Sequence, residues 1–189
     1  MTVTLQDVQN AQKKIEKHLP PTRTRLSPKI SDIVKAEVYI KFENRQHTGA
    51  FKDRGALNCL LNLNEEQQKK GVVTMSAGNH AQGVAHHAGR LGIPATIVMP
   101  ANTPYVKVRN TENYGAKVVL HGDFEGASAQ AKYLRDAEGL AFVHPYDDVL
   151  VMAGQGTVAL EMLDVVPNLE CLIVPVSYTH LTLPTNREV

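Results

Sequence analysis

The sequence contains no tryptophan, and aromatic side chains make up 5% of its 189 residues. This scarcity argues against a base-stacking surface for nucleic acid. The chain has two cysteines, Cys59 and Cys171, which are too few for a disulfide framework and fit a reducing, cytoplasmic compartment. No apolar run approaches the ~18–20 residues of a membrane-spanning helix. The N-terminus also lacks the apolar core of a signal peptide.

The charges are balanced, with 20 lysines and arginines against 19 acidic residues and a formal net charge of +1. The sequence therefore shows no excess of positive charge that would attract nucleic acid or an anionic membrane. Its length allows one domain or two small ones. We expect a cytoplasmic globular protein whose partner is a small molecule, with neither nucleic acid nor a membrane as a partner.

Four short β-rich runs recur at regular spacing through the middle of the chain. They begin 22 or 23 residues apart, which leaves room for a turn and a helix between successive strands. The runs are apolar throughout, as in strands covered on both faces. The pattern predicts an α/β fold whose four-stranded parallel sheet, with its helices, forms a small αβα domain at residues 64–145. The runs occupy residues 72–75, 95–99, 117–120 and 140–143.

The flanking segments predict pieces of another layer. Apolar periodicity predicts helices at residues 5–19, 50–63 and 154–166, and β-rich patterns predict strands at 38–42 and 171–174. Two strands are too few for an independent sheet. We therefore expect an incomplete layer that leaves Leu57, Leu60 and Leu61 uncovered.

Two loops at predicted strand ends carry candidate functional residues. Residues 48–55 read TGAFKDRG and residues 76–80 read SAGNH. A lysine at the start of a buried helix, such as Lys52, is a candidate for Schiff-base chemistry because burial lowers its pKa. The backbone N–H groups of residues 76–80 would converge at a helix N-terminus, which suits a carboxylate or phosphate. From the residues alone, a solvated lysine, a capping loop and a core role for Phe51 are favoured over the catalytic interpretation.

Two other patterns favour different functions but are weaker. Residues 154–159 read GQGTVA and match the GxGxxG/A dinucleotide fingerprint, yet they follow the βα series instead of opening it. His80, His86 and His87 share one predicted helix, but no HExxH or CxxC pattern accompanies them. We therefore expect neither NAD binding nor a metal site.

Four motifs together resemble those of a known enzyme family. They are TGAFKDRG at 48–55, SAGNHAQG at 76–83, HPYDD at 144–148 and GQGT at 154–157. In this order they resemble the threonine/serine dehydratases, which are fold-type-II enzymes that use pyridoxal 5′-phosphate (PLP). The resemblance extends over about residues 5–176. It implies the fold-type-II architecture, with a complete small domain and an incomplete large one.

The resemblance also implies a role for each candidate site residue. Lys52 would form the Schiff base with PLP and take the Cα proton of the substrate. Phe51 would pack on the pyridine ring, and Asn79 would hydrogen-bond the ring oxygen. The substrate carboxylate would be held by a loop segment consisting of Ser76, Ala77, Gly78, Asn79 and His80. Arg54 has no catalytic role in this interpretation; it is expected to pair with an acid such as Asp53 or to cap the site.

The implied reaction is that of a threonine ammonia-lyase. L-Threonine would give 2-oxobutanoate and ammonia, a reaction of amino-acid metabolism that can serve isoleucine biosynthesis, and L-serine would give pyruvate. A serine racemase or a β-replacement enzyme of the same fold is the near alternative. The family further implies a homo-oligomer.

The last residues depart from the family pattern. The family continues with a glycine run for the PLP phosphate, whereas residues 177–189 read SYTHLTLPTNREV. We expect a truncated chain with a non-native tail from Ser177, and hence an inactive fragment or a non-catalytic small domain. The expected division is 1–63 (large domain), 64–145 (small domain), 146–176 (returning large domain) and 177–189 (tail).

Overall fold

The computed structural model of the chain describes residues 2–174, and the expected tail at 177–189 lies outside them. Helices and strands alternate over most of this length. In chain order they are α1 (Leu5–Ile15), β1 (Thr24–Leu26), α2 (Pro28–Val34), β2 (Tyr39–Lys41), a 3-10 turn (Glu43–Arg45), α3 (Lys52–Leu61), α4 (Glu65–Lys70), β3 (Val72–Met75), α5 (Asn79–Leu91), β4 (Ala95–Met99), α6 (Tyr105–Glu112), β5 (Lys117–Leu120), α7 (Phe124–Glu138), β6 (Ala141–Phe142) and α8 (Val149–Val165).

The central sheet has four parallel strands in the order β5-β4-β3-β6. Strands β3, β4 and β5 have the predicted bounds, and β6 is two residues long where four were predicted. This sheet confirms the α/β fold expected from the spacing of the apolar runs. Because the strands are parallel, their carboxyl ends meet at one edge, where open α/β sheets bind ligands.

Both faces of the inner strands β3 and β4 are buried, which explains why these strands are largely apolar. Val72 and Ile97 belong to a core that contains residues of α3, α5 and α8. Their neighbours Val73 and Val98 point to the opposite face and pack with Ala127 of α7. All four strand residues are fully buried.

The outer elements differ from the sequence prediction in three ways. Residues 171–174 form no strand in the structure and are exposed, because no neighbouring strand within residues 2–174 hydrogen-bonds to them. Strand β2 instead pairs antiparallel with β1, which was not predicted. Leu57 and Leu60 are buried, with 1% and 0% exposure, and Leu61 is partly buried, so the expectation that this face is uncovered was wrong.

Helix α3 is covered because α8 crosses it closely. A Cβ at Gly154 would lie 2.6 Å from the Arg54 carbonyl oxygen, and one at Gly55 would lie 2.7 Å from the Val151 carbonyl oxygen. The two glycines thus let the helix backbones meet. Gly154 lies inside α8, whose start at Val149 is capped by the Asp148 carboxylate, so the GQG segment is not a strand-to-helix phosphate turn.

The bounds of the three predicted outer helices also differ from the structure. Helix α1 ends at Ile15 where 19 was expected, α3 extends over Lys52–Leu61 within the expected 50–63, and α8 begins at Val149, five residues before the expected 154. Within residues 2–174, no helix is long and apolar enough to cross a membrane. The domain division at 63/64 and 145/146 stays a prediction.

Candidate active site

Lys52 is the first residue of α3, and its side chain is 8% exposed. Its amine Nζ donates a 2.9 Å hydrogen bond to the Pro145 carbonyl oxygen and lies 5.5 Å from the centre of the Phe51 ring. Burial lowers the pKa of Lys52, because the charged form loses hydration. A buried amine of this kind is more available as a nucleophile and base than a surface lysine.

Residues 76–80 join β3 to α5 and face Lys52. The Ser76 hydroxyl accepts a 3.3 Å hydrogen bond from the Gly78 N–H. Gly78 caps α5 without a side-chain hydrogen bond, and the first turn of the helix contains no acidic residue. The first N–H groups of a helix have no partner inside it and carry a partial positive charge. This segment therefore suits a carboxylate.

Lys52 and residues 76–80 line one cavity of about 230 Å³. The structure thus brings together six of the seven predicted site residues. Phe51 does not line this cavity, although its ring lies beside the Lys52 amine. Asn79 is the exposed member of the set, and Ser76 and His80 are buried. The assigned roles of these residues stay predictions.

The sequence interpretation assigned no role to the other wall of this cavity. These residues lie at or just after the carboxyl ends of the parallel strands, or in the first two turns of α7. The expected meeting of strand ends in a parallel sheet was therefore the sequence signal that could have identified them. They are mostly apolar or aromatic, and they narrow the space around the Lys52 amine. The additional residues are Met75, Pro100, Phe124, Ser128, Phe142, His144, Pro145 and Tyr146.

His80 is 3% exposed, and its Nε2 lies 3.2 Å from the Val143 carbonyl oxygen. Since a carbonyl only accepts, Nε2 carries the proton and donates it. Burial, and secondarily the charges of Lys52 and His144, lower the pKa of His80 to about 3, while the contact with Val143 opposes the shift. The imidazole is therefore neutral at pH 7. Its Nδ1 is buried and has no hydrogen-bond partner among residues 2–174.

Arg54 lies two residues beyond Lys52 and points away from the cavity. Its guanidinium is 1% exposed and hydrogen-bonds the carboxylates of Glu43 and Glu161 and the Thr157 hydroxyl. Burial opposes its charge, but the bonds to Glu161 and Glu43 raise the pKa of Arg54 above its ordinary value. The expectation that Arg54 pairs with an acid is correct, but Asp53 is not that acid.

Asp53 is fully buried and ties α3 to the preceding loop. Its carboxylate accepts hydrogen bonds from the Thr48 hydroxyl at 2.6 Å and the Thr48 N–H at 3.0 Å. The Nε2 of His87 lies 3.5 Å away. Burial opposes ionisation, but contacts with His87 and Thr48 lower the pKa of Asp53. Asp53 and Arg54 thus fix both sides of the turn that begins at Lys52.

These residues fit PLP as the family implies it. The cavity contains a buried amine with a lowered pKa, an uncapped helix N-terminus and aromatic walls. An amine of this kind can bind the aldehyde of the cofactor covalently. Within residues 2–174, no group of three or more His, Cys, Asp or Glu side chains is arranged to hold a metal ion.

Comparison with known proteins defines the class. Residues 15–182 match the family model of pyridoxal-phosphate dependent enzymes, and the chain belongs to this family. The resemblance found in the motifs is thereby confirmed at the level of the family.

Two relatives in sequence are similar over most of the chain. One is the L-threonine ammonia-lyase of Thermotoga maritima, with 46% identity over 175 residues, 92% of this chain and 44% of the relative. Another is the catabolic L-threonine dehydratase TdcB of Staphylococcus aureus, with 48% identity over 176 residues, 92% of this chain and 51% of the relative. The chain thus spans about half the length of the curated relatives it matches.

Solved structures confirm the fold-type-II architecture. Maize serine racemase superposes with a TM-score of 0.89 at 38% identity, covering 94% of this chain and 54% of that protein. Threonine deaminase isoform 2 of Solanum lycopersicum superposes with a TM-score of 0.80 at 39% identity, covering 85% and 45%.

Proposed function

We propose that this chain supplies the lysine-bearing half of a PLP-dependent threonine ammonia-lyase. The reaction converts L-threonine to 2-oxobutanoate and ammonia, and L-serine to pyruvate. The observation that carries the proposal is the position of the Lys52 amine, buried in one cavity with the uncapped start of α5. The relatives named as threonine ammonia-lyase and dehydratase support the choice of substrate.

Each predicted site residue has a part in this proposal. Lys52 anchors the cofactor and moves the proton at the substrate Cα, for which a lowered amine pKa is an advantage. The N–H groups and hydroxyl of residues 76–80 bind and orient the substrate carboxylate. Phe51 packs beside the cofactor ring, and Asn79 donates to the ring oxygen. PLP itself, when bound, supplies an electron sink for the charge that develops at Cα.

Burial of Lys52, which is 8% exposed, limits the access of bulk water to its amine. Phe142, which is partly buried, borders the cavity beside it, and Phe124, which also lines the cavity, is 64% exposed. An amine that is kept from bulk water retains its lowered pKa and its proton-transfer role. We also infer a cytoplasmic enzyme, in line with Cys59 and Cys171, neither of which is in a disulfide. The homo-oligomeric state is inferred separately, from the family resemblance.

Serine racemisation is a second candidate function, favoured by the TM-score of 0.89 to maize serine racemase. The two candidates differ in their products, since a racemase releases D-serine and a lyase releases a 2-oxo acid. The division into a small domain at 64–145 flanked by parts of a large domain belongs to either candidate and is part of this proposal.

A chimera tests the function. Residues 1–174 would be joined to the corresponding C-terminal half of the Thermotoga maritima relative and incubated with PLP and L-threonine. We expect 2-oxobutanoate, and we expect borohydride reduction to fix PLP to Lys52. Lys52→Ala should abolish both, whereas Lys70→Ala, a change at a half-exposed lysine, should preserve them. Labelling of another lysine, or turnover by the Lys52→Ala variant, would refute the assignment.

The 189-residue chain alone tests the non-catalytic alternative. Since it covers about half of its relatives, we propose that turnover needs the remaining half. We therefore expect no measurable 2-oxobutanoate from the isolated chain with PLP and L-threonine. Lys52-dependent turnover by this chain would contradict that part of the proposal.

A further inference from the structure

The segment that leaves strand β6 is held against the active site by side chains from two distant elements. His80 of α5 contacts the Val143 carbonyl oxygen at 3.2 Å. Two residues further on, the Pro145 carbonyl oxygen accepts the Lys52 amine at 2.9 Å. Val143 and Pro145 are both buried. The histidine and the lysine thus bind the first and third carbonyls of the three-residue stretch Val143–Pro145.

The rest of this segment is also fixed by hydrogen bonds. The Val143 N–H continues the sheet by donating to the Val73 carbonyl oxygen at 2.9 Å. Beyond Pro145, the His144 Nδ1 accepts the N–H groups of Tyr146 and Asp147 at 3.3 and 2.8 Å. The direction of the Pro145 carbonyl is therefore set on one side by the sheet and His80, and on the other by the turn around His144.

We propose that His80 is a positioning residue for Lys52, and that its imidazole acts by holding the Val143–Pro145 backbone so that the Pro145 carbonyl receives the Lys52 amine. This inference rests on the proposed function of Lys52. In this proposal the His80 side chain helps to position Lys52. The His80 backbone N–H belongs to the proposed site for the substrate carboxylate.

Two opposing effects act on the Lys52 amine in this arrangement. Burial disfavours the ammonium form, and a carbonyl acceptor at 2.9 Å favours it, because a charged donor makes the stronger hydrogen bond. The titratable groups that line the cavity with Lys52 are His80, His144 and Tyr146. The neutral His80 adds no charge at pH 7, so its influence on Lys52 passes through the position of the carbonyl.

The direction in which the pKa of Lys52 changes when His80 is replaced distinguishes this positioning role from a role in packing alone. If the Pro145 carbonyl moves away while the site stays buried, the ammonium form loses this acceptor and the pKa of Lys52 falls. If the imidazole only fills space, its removal admits water and the pKa of Lys52 rises towards its ordinary value.

The experiment measures the pH dependence of Lys52 acetylation in the 189-residue chain by competitive labelling and mass spectrometry, without PLP or threonine. His80→Phe removes the donor and retains an aromatic ring, and we expect the unprotonated fraction of Lys52 below its pKa to rise about tenfold. His80→Gln keeps an N–H donor and should restore values close to those of the original chain. Acetylation of Lys70, which is half-exposed, is measured in the same digest as the internal reference for the activity of the reagent.

A Lys52 pKa that is unchanged or raised in His80→Phe overturns the proposal. If the His80→Phe variant loses its helical circular dichroism signal, two other variants are compared instead. In His80→Asn the amide is too short to reach Val143, whereas in His80→Gln it can reach. Equal Lys52 titration in these two variants likewise overturns it. Since no cofactor is present, either failure leaves the proposed function standing, and borohydride trapping at Lys52 decides that question separately.

Discussion

Arg54 and Glu161 form two parallel hydrogen bonds, 2.7 Å between Nη1 and Oε1 and 2.8 Å between Nη2 and Oε2. They join the first turn of α3 to the last turns of α8, across 107 residues of sequence. Lys41 reaches the same carboxylate at 2.6 Å, and Glu43 binds the other side of the guanidinium. The helix that begins with Lys52 is thereby fixed to the outer elements by buried charges.

Removal of the Arg54 charge should destabilise the fold strongly. Arg54→Met would retain much of the apolar stem and leave Glu43 and Glu161 partly buried with fewer cationic partners. We expect a loss of about 3–5 kcal/mol in the free energy of unfolding, measured by urea denaturation. The matched control is Arg135→Met, because Arg135 pairs with Asp136 on the exposed surface of α7. The control should have little effect on stability, because exposed ion pairs contribute little, and equal losses in the two variants would contradict the prediction.

A methyl group at Gly154 should separate α8 from α3. Its Cβ would lie 2.6 Å from the Arg54 carbonyl oxygen, a backbone atom that cannot rotate away. The overlap should cost about 1–3 kcal/mol or more in thermal or urea unfolding, despite the better helix propensity of alanine.

Gly156 in the same helix provides the control for this substitution. A Cβ there would meet the side-chain methyl groups of Val8 at 2.9 and 3.1 Å and no backbone atom. Gly156→Ala should therefore cost clearly less than Gly154→Ala, because a side chain yields more readily than a backbone carbonyl. Similar destabilisation by the two substitutions would show that helix crossing does not explain Gly154.

The central sheet was predictable because local sequence determines it. The β-rich runs between Val72 and Leu120 are short, and each is followed by a helix with recognisable ends. Their spacing alone therefore predicts parallel strands that are joined by helical crossovers. The loop with Ser76 was predictable for the same reason, since parallel strands bring their carboxyl ends together. Lys52 instead follows β2, which pairs antiparallel with β1 outside the parallel sheet, so its place beside Ser76 depends on tertiary packing.

The outer elements were less predictable because distant contacts determine them. Strand β1 has three residues and exists through its pairing with β2, and Leu57 and Leu60 are buried by helices that begin far away in the sequence. The Pro145 carbonyl gave no sequence signal, because a backbone acceptor looks alike at every residue. Its contact with Lys52 depends on tertiary structure alone.

The buried, neutral state of His80 predicts a loss of stability in acid. Burial lowers the pKa of His80 to about 3 from an ordinary value of 6.5. Between these pH values the unfolded chain binds a proton at this residue and the folded chain does not, so stability falls as the pH decreases from about 6.5 to about 3. His80→Gln should reduce this slope by about 1.4 kcal/mol per pH unit, measured from urea unfolding at several pH values. Equal slopes in the two proteins would mean that His80 is already protonated in the folded state or neutral in the unfolded one.

Ala77 should determine the outcome of the reaction with serine. Racemisation needs an acid on the face of the substrate opposite Lys52, and the resemblance to the family implies that its serine racemases have a serine in this role at the position of Ala77. Ala77 lines the cavity beside Ser76, and its methyl group cannot carry a proton. The chimera described above should therefore convert L-serine to pyruvate with little D-serine, as measured by chiral chromatography.

Ala77→Ser should raise the ratio of D-serine to pyruvate, because a hydroxyl then stands where the proton must be delivered. Ala77→Gly, which leaves the position without a hydroxyl, is the control and should not raise the ratio. Abundant D-serine from the chimera with Ala77 intact would show that another group delivers the proton and would favour the racemase as the function of this chain.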